Sequence, residues 1–253
     1  MSEATDAATS NAITSTTETS PPLLEFLTIS DDASSLVTHR PGGIYVGPSH
    51  WIEYPDTFPS VAAVINESSH ETGCSVAPEA MASLDAAWHE QAETQFAKAG
   101  ALDEWQAYLQ SGAISNGRKL KLQIMVLPKH LYFKIHAHPN IEFEFTLYGA
   151  LHEFRWTTLR ATIDPADNAK QPLTGPEIAA HSVFEHRHVA KGETMVNQIG
   201  SVHQSFTAAD EGCAILVLWS GCHANTPPSM VHNVSPELRP TAGWDNDPDK
   251  KES

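Results

Sequence analysis

The sequence predicts an all-β domain, a small barrel or sandwich, with a helical extension on its N-terminal side. Two periodicities predict it. Between Lys119 and Trp219, apolar and polar residues alternate with a period of two, in eight short runs parted by turn-forming residues. Ahead of them, Met81, Leu84, Trp88, Ala92 and Phe96 recur every three or four residues, the period of a helix with one apolar stripe. No internal repeat is visible.

Taken in order, residues 1–22 are rich in Ser, Thr and Ala, have no hydrophobic period and are expected to be a disordered leader. Residues 23–118 make up the extension. Its first part, 23–74, holds the apolar cluster Leu23, Leu24, Phe26 and Leu27, a turn at Pro41-Gly42-Gly43, and Trp51, Tyr54 and Phe58 among prolines. That mixture reads as an irregular, partly stranded wrapper. A helix is expected over 78–99, with Pro78 in its first turn and Gly100 as its stop. A shorter one, over 102–110, would place Leu102, Trp105 and Leu109 on one face. Trp88 and Trp105 are read as packing residues, because apolar stripes on helices usually bury.

The barrel is expected over 119–222, with strands at 119–127, 131–137, 141–148, 151–159, 183–189, 193–197, 202–207 and 213–219. Residues 161–181, with Asp164-Pro165 and Gly175-Pro176, break the pattern as a long loop. Residues 223–253 are expected to be a C-terminal extension ending in a mobile acidic tail.

Composition removes several function classes. The 253 residues carry a formal net charge of −16, which repels phosphate backbones and anionic membranes, so neither nucleic acid nor a membrane is an expected partner. The three cysteines, Cys74, Cys213 and Cys222, form no Cys-x-x-Cys pair and argue against a disulfide scaffold or a structural zinc site. No apolar run approaches the roughly 18 residues of a spanning helix. The N-terminus, with Glu3, Asp6 and Glu18, does not read as a targeting peptide. The expectation is a cytoplasmic protein acting on a small molecule.

Chemistry concentrates in His136-Ala-His138-Pro-Asn-Ile-Glu142. On a strand, His136 and His138 share a face, and a turn at Pro139-Asn140 can return Glu142 beside them. Two imidazoles and a carboxylate suit a divalent transition metal with positions left open. By parity, Tyr132, Lys134, His136 and His138 oppose Leu131, Phe133, Ile135 and Ala137. Likewise Glu142, Glu144, Thr146 and Tyr148 oppose Ile141, Phe143, Phe145 and Leu147. The polar face would line a cavity; the apolar face would need a cover of N-terminal helices, a second subunit, or both.

This stretch resembles the first motif of the cupin superfamily, G-x5-H-x-H-x3,4-E-x6-G, through His136, His138, Glu142 and Gly149, with His130 at the leading glycine. Gly192 to Thr207 resembles the second, G-x5-P-x-G-x2-H-x3-N, through Gly192, Gly200 and His203, with Gln198 for proline and Thr207 for asparagine. The resemblance covers about residues 119–220. It implies a jelly-roll barrel, frequent homodimers, and His203 as the fourth ligand beside His136, His138 and Glu142.

Such a set suits Fe(II), Mn, Ni, Zn or Cu. With Fe(II), the expected reaction is dioxygenation of a small chelating substrate. Glu144 is the candidate general acid or base, and Tyr132 and Tyr148 are candidate pocket residues. Some cupins are dimethylsulfoniopropionate lyases with a tyrosine base at the position of Glu144, so a lyase or isomerase is an alternative; a non-catalytic metal- or small-molecule-binding protein is another. His186-Arg187-His188 repeats the His-x-His spacing without a following glutamate, and with His181, His223 and His232 is read as peripheral to the ligand set. Cys213 is read as core, and Cys222 as a residue that could approach the barrel rim.

Overall fold

In the computed structural model, the residues described are 23–30, 43–53, 59–98, 119–133, 135–137, 141–160, 184–198, 200–219 and 231–232. The predicted leader, the helix over 102–110 with Trp105, the loop 161–181, Lys134, His138, His181, Cys222, His223 and the acidic tail lie outside them. The elements in chain order are β1 (Leu27–Ile29), β2 (Tyr45–Val46), β3 (His50–Glu53), α1 (Val61–Glu67), α2 (Ser69–Thr72), β4 (Cys74–Val76), α3 (Met81–Lys98), β5 (Lys119–Leu127), β6 (His136–Ala137), β7 (Glu142–Arg160), β8 (Phe184–Ala190), β9 (Thr194–Asn197), β10 (Ser201–Phe206), β11 (Cys213–Trp219) and β12 (Val231–His232). Single 3-10 turns precede β1 and α3.

One large antiparallel sheet runs β12-β6-β10-β7-β11-β5-β2, with β3 added on β5 and with β8 and β9 added on β7. The backbone of this arrangement is β7. Its first half, from Glu142 to Gly149, pairs with β11 and β9; its second half, from Ala150 onward, pairs with β8 and β10. The sheet therefore curls on itself about the middle of β7. Leu127, Leu131, Leu151, Val189, Ile215 and Val217, drawn from both halves, form the cluster inside the curl.

The long β7 replaces the two strands expected at 141–148 and 151–159. The break anticipated between them is a bend. Gly149 sits there with φ of 66°, and a Cβ at this position would collide with the Gly212 carbonyl, so only glycine fits. Next to it the pairing with β11 shifts: Thr146 faces Ile215 while Tyr148 faces Ala214. That is a β-bulge, which adds a residue, kinks the strand and exchanges its faces.

The apolar outer face of the first half is covered by the N-terminal helices. Leu84, Trp88 and Ala92 of α3 are buried, in the register the helical stripe predicts. The Trp88 ring meets Phe143 edge-on at 5.1 Å and Phe145 at 6.0 Å. Val61, Ala62, Val64 and Ile65 of α1 complete this outer core. Ser60 caps α1 by accepting from the Ala63 amide at 3.0 Å, and Asp85 of α3 accepts from the Ala62 amide at 3.0 Å, so the two helices are joined where α1 begins. Within the stretch expected to be irregular, 23–74, the described residues form three short strands and the helices α1 and α2; β1 pairs with β4, and β2 and β3 extend the main sheet along β5.

A second face exchange lies in the segment leading to β6. Tyr132 bridges Phe206, while His136 pairs with His203. Four steps along the chain on one side thus span three on the other. Leu131 and Phe133 pack inward, and after the extra residue the inward parity passes to His136. The strand expected over 131–137 is accordingly broken. Only a bridge at Tyr132 and the short β6 remain of it among the described residues.

Candidate metal centre

Three of the four expected ligands come together inside the curl. β6 and β10 are neighbours in register at His136 and His203, and the two imidazole centroids stand 4.3 Å apart. Glu142 opens β7, and its Oε2 lies 3.5 Å from Nε2 of His203. All three side chains are buried. His138, one residue beyond β6, is outside the described residues. Among the described residues no group of three His, Cys, Asp or Glu side chains stands in an arrangement that could by itself hold a metal ion.

The donor chemistry fits a divalent transition ion. His203 Nδ1 lies 2.9 Å from the Ser201 carbonyl. A ring nitrogen bonded to a carbonyl must carry the hydrogen, so Nε2 is the atom left to coordinate, and it faces the carboxylate. Burial alone would push the His203 ring below its ordinary pKa. The hydrogen-bonding Glu142, the nearby Glu153 charge and the Ser201 carbonyl outweigh burial and hold it above. The pocket thus favours positive charge at this point, as a proton or as a metal ion.

Glu142 is fixed from behind. Trp219 Nε1 donates to its Oε1 at 2.8 Å, and Asn197 Nδ2 donates to its Oε2 at 3.1 Å. The same Asn197 amide donates to Glu153 Oε2 at 2.7 Å, and its Oδ1 accepts from Arg155. Arg155 also donates to the Val196 carbonyl at 2.7 Å and to Glu153 Oε1 at 3.2 Å. Glu153, Arg155, Asn197 and Trp219 were not singled out in the sequence. Parity hid the first two, because the bulge at Tyr148 turns the odd residues of β7 inward beyond Gly149.

Glu144 is also buried inside, beside Val217 and Met195 on the neighbouring strands. Among the described residues its Oε2 has no hydrogen-bond partner. Burial, reinforced by the Glu142 and Glu153 charges, raises its pKa well above the usual carboxylate value.

The two tyrosines stand elsewhere. Tyr132 lies flat on Phe206 at 5.1 Å, on the outer face of the β7–β10 sheet. Tyr148 packs against the outer core under the helices. In each case the inserted residue of a bulge reverses the parity on which a pocket role rested. His186 and His188 are exposed on that outer face, where His152 Nδ1 lies 3.1 Å from His186 Nε2. His232, on β12, occupies the register position opposite His136.

Two motif positions with a different residue type lie at turns. His130, at the place of the first motif's leading glycine, has φ of 61°. Thr207, at the place of the second motif's asparagine, accepts from the Leu131 amide at 2.9 Å and donates to the Pro128 carbonyl at 2.6 Å, closing the turn before β6. The curled antiparallel sheet that brings the two motifs together is consistent with a jelly-roll fold.

No protein-family model matches the chain, and no curated protein does. Among solved structures it is similar to the DMSP lyase DddQ from Ruegeria pomeroyi DSS-3, with 22% identity and a TM-score of 0.30 over 43% of this chain and 41% of that one. It is similar to the Lactobacillus farciminis oxalate decarboxylase, with 19% identity and a TM-score of 0.28 over 40% and 23%. An oxalate oxidase in complex with glycolate gives 16% identity and a TM-score of 0.31 over 45% of each chain. The chain spans less than half the length of each of these proteins, and the overlap says nothing of its chemistry.

Proposed function

We propose that the protein is a metal-dependent enzyme, a mononuclear Fe(II) dioxygenase acting on a small organic molecule. The observation that carries this reading is the meeting of His136, Glu142 and His203 inside the curl, with the His203 tautomer set for coordination. His136, His138, Glu142 and His203 would hold the ion. Bound there, a ferrous ion would supply Lewis acidity and redox chemistry toward a chelating substrate.

The remaining work falls to this chain's own side chains. Leu127, Leu131, Ile215 and Val217 keep the interior dry, which strengthens every electrostatic contact within it. Asn197 and Trp219 hold the Glu142 carboxylate in one orientation. Glu144 offers Oε2 as the atom at which a proton is held or returned. That same carboxyl supports a second reading, a non-oxidative lyase or isomerase in which Glu144 moves the proton.

Elemental analysis of the purified protein, with His136→Ala as control, tests the first step. The expected result is iron at one ion per chain, lost in the variant while the melting temperature of the metal-free protein is kept. Oxygen consumption with candidate substrates then separates the readings: uptake marks the dioxygenase, and turnover without uptake marks the lyase. A wild-type protein that takes up no divalent cation would overturn both and leave a non-catalytic small-molecule-binding role.

A further inference from the structure

We propose that Asn197 and Trp219 are positioning residues that fix the Glu142 carboxylate for the ion, with Arg155 and Glu153 as the anchor behind them. The inference rests on the metal-centre reading above and adds to it the residues that set the affinity and geometry of that centre.

The two oxygens of Glu142 are held by two different donors on two different strands. Trp219, the last residue of β11, supplies its only N–H to Oε1 at 2.8 Å. Asn197, the last residue of β9, supplies an N–H to Oε2 at 3.1 Å. A carboxylate gripped at both oxygens cannot rotate about its last torsion. Its remaining lone pairs keep a fixed direction, and Oε2 is the oxygen that faces His203 at 3.5 Å.

The amide of Asn197 has one possible sense. Its Oδ1 accepts from the Arg155 guanidinium, so Nδ2 must point the other way, toward Glu142 and Glu153. Both amide hydrogens are then used, one per carboxylate. Arg155 is itself held by the Val196 carbonyl and Glu153. Asn197 and Glu153 are fully buried, so water cannot substitute for a missing partner. The chain Arg155–Asn197–Glu142 therefore transmits the position of the β7–β9 pairing to the carboxylate. Removing such a partner behind a ligand typically lowers metal affinity about 10- to 100-fold.

The test uses the full-length metal-free protein and Co(II), read by titration calorimetry and by the visible d–d bands of the bound ion. Trp219→Phe keeps an aromatic ring and removes the N–H; it is the primary variant because it disturbs the packing least. The expected result is an affinity lower by about 10-fold or more and a shifted d–d spectrum, with a cooperative melting transition kept without metal. Asn197→Ala should show the larger loss, and Asn197→Asp, which sets an anion between two carboxylates, should not restore wild-type affinity.

If Asn197→Ala does not fold, Trp219→Phe alone decides. Wild-type affinity and an unchanged spectrum in Trp219→Phe, alongside loss of binding in His136→Ala, would overturn the positioning role while leaving the centre in place. No Co(II) binding by the wild-type protein would overturn the centre and the positioning role together.

Discussion

The two halves of β7 share an inner face and differ on the outside. In the first half, Phe143, Phe145 and Leu147 point away from the site and are sealed by α1 and α3. In the second half, the outward residues His152 and Phe154 meet Phe206 of β10 and the exposed His186 and His188 of β8 in a half-open shelf of rings. The inner faces alternate site residues and core in the same way on both halves. What differs is whether a helix is available to cover the other side. The half that is covered can carry aliphatic and benzyl side chains; the half that is open carries imidazoles, whose apolar bodies stack while their nitrogens reach water.

The largest effect should come from breaking the cover. Trp88→Ala removes a fully buried indole from between α3 and β7, and should cost about 3–5 kcal/mol in urea unfolding. Phe154→Ala on the open shelf should cost about 1 kcal/mol or less, because the site is already partly wet. Equal losses in the two variants would show that the halves do not differ in the way described.

Much of this architecture was legible in the chain. The period-two runs located β5, β8, β9, β10 and β11, and the helical stripe located α3, because each depends only on neighbours along the chain. The His-x-His-x3-Glu spacing marked His136 and Glu142, and the resemblance to the second motif marked His203 as the residue that meets them. The two bulges were not legible. A bulge is a mismatch between two strands far apart in sequence, Tyr132 against Phe206 and Tyr148 against Ala214, and neither strand alone contains it. Each one turned a tyrosine out of the pocket. For the same reason the Glu153–Asn197 contact, between residues 44 apart, could not be read from either segment.

The open shelf should make the second half sensitive to acid. Burial, with the neighbouring His188 and His186, holds the His152 pKa below its ordinary value. A depressed histidine pKa means the unfolded chain binds the proton first. The stabilising effect is therefore fully present above the unfolded value of about 6.5 and declines as the pH falls below it. In unfolding measured from pH 7.5 to 5.5, the double variant His186→Gln/His188→Gln should lose less stability on acidification than the wild type. An identical slope in the two proteins would mean that the three imidazoles do not feel one another. On the covered half the buried Cys74 thiol beneath the helices, pushed up to about 11 by burial, should stay unmodified by a thiol reagent at pH 8 in the native state and react on unfolding.

The smallest expected effect concerns the turn that feeds β6. His130 holds φ of 61°, a conformation that costs a side chain with a Cβ about 1–2 kcal/mol. Its amide donates to the Ala208 carbonyl at 2.9 Å, so the conformation is enforced by pairing across the turn and would survive substitution. Glycine there relieves the strain but adds freedom to the unfolded chain, which offsets roughly 0.4–1 kcal/mol of the gain. His130→Gly should therefore raise stability by about 0.5–1 kcal/mol in urea unfolding, with Co(II) affinity unchanged. A loss of stability would mean that the imidazole makes a contact worth more than the strain. A loss of Co(II) affinity would mean that the strained turn, and not only β10, holds His136 in register with His203.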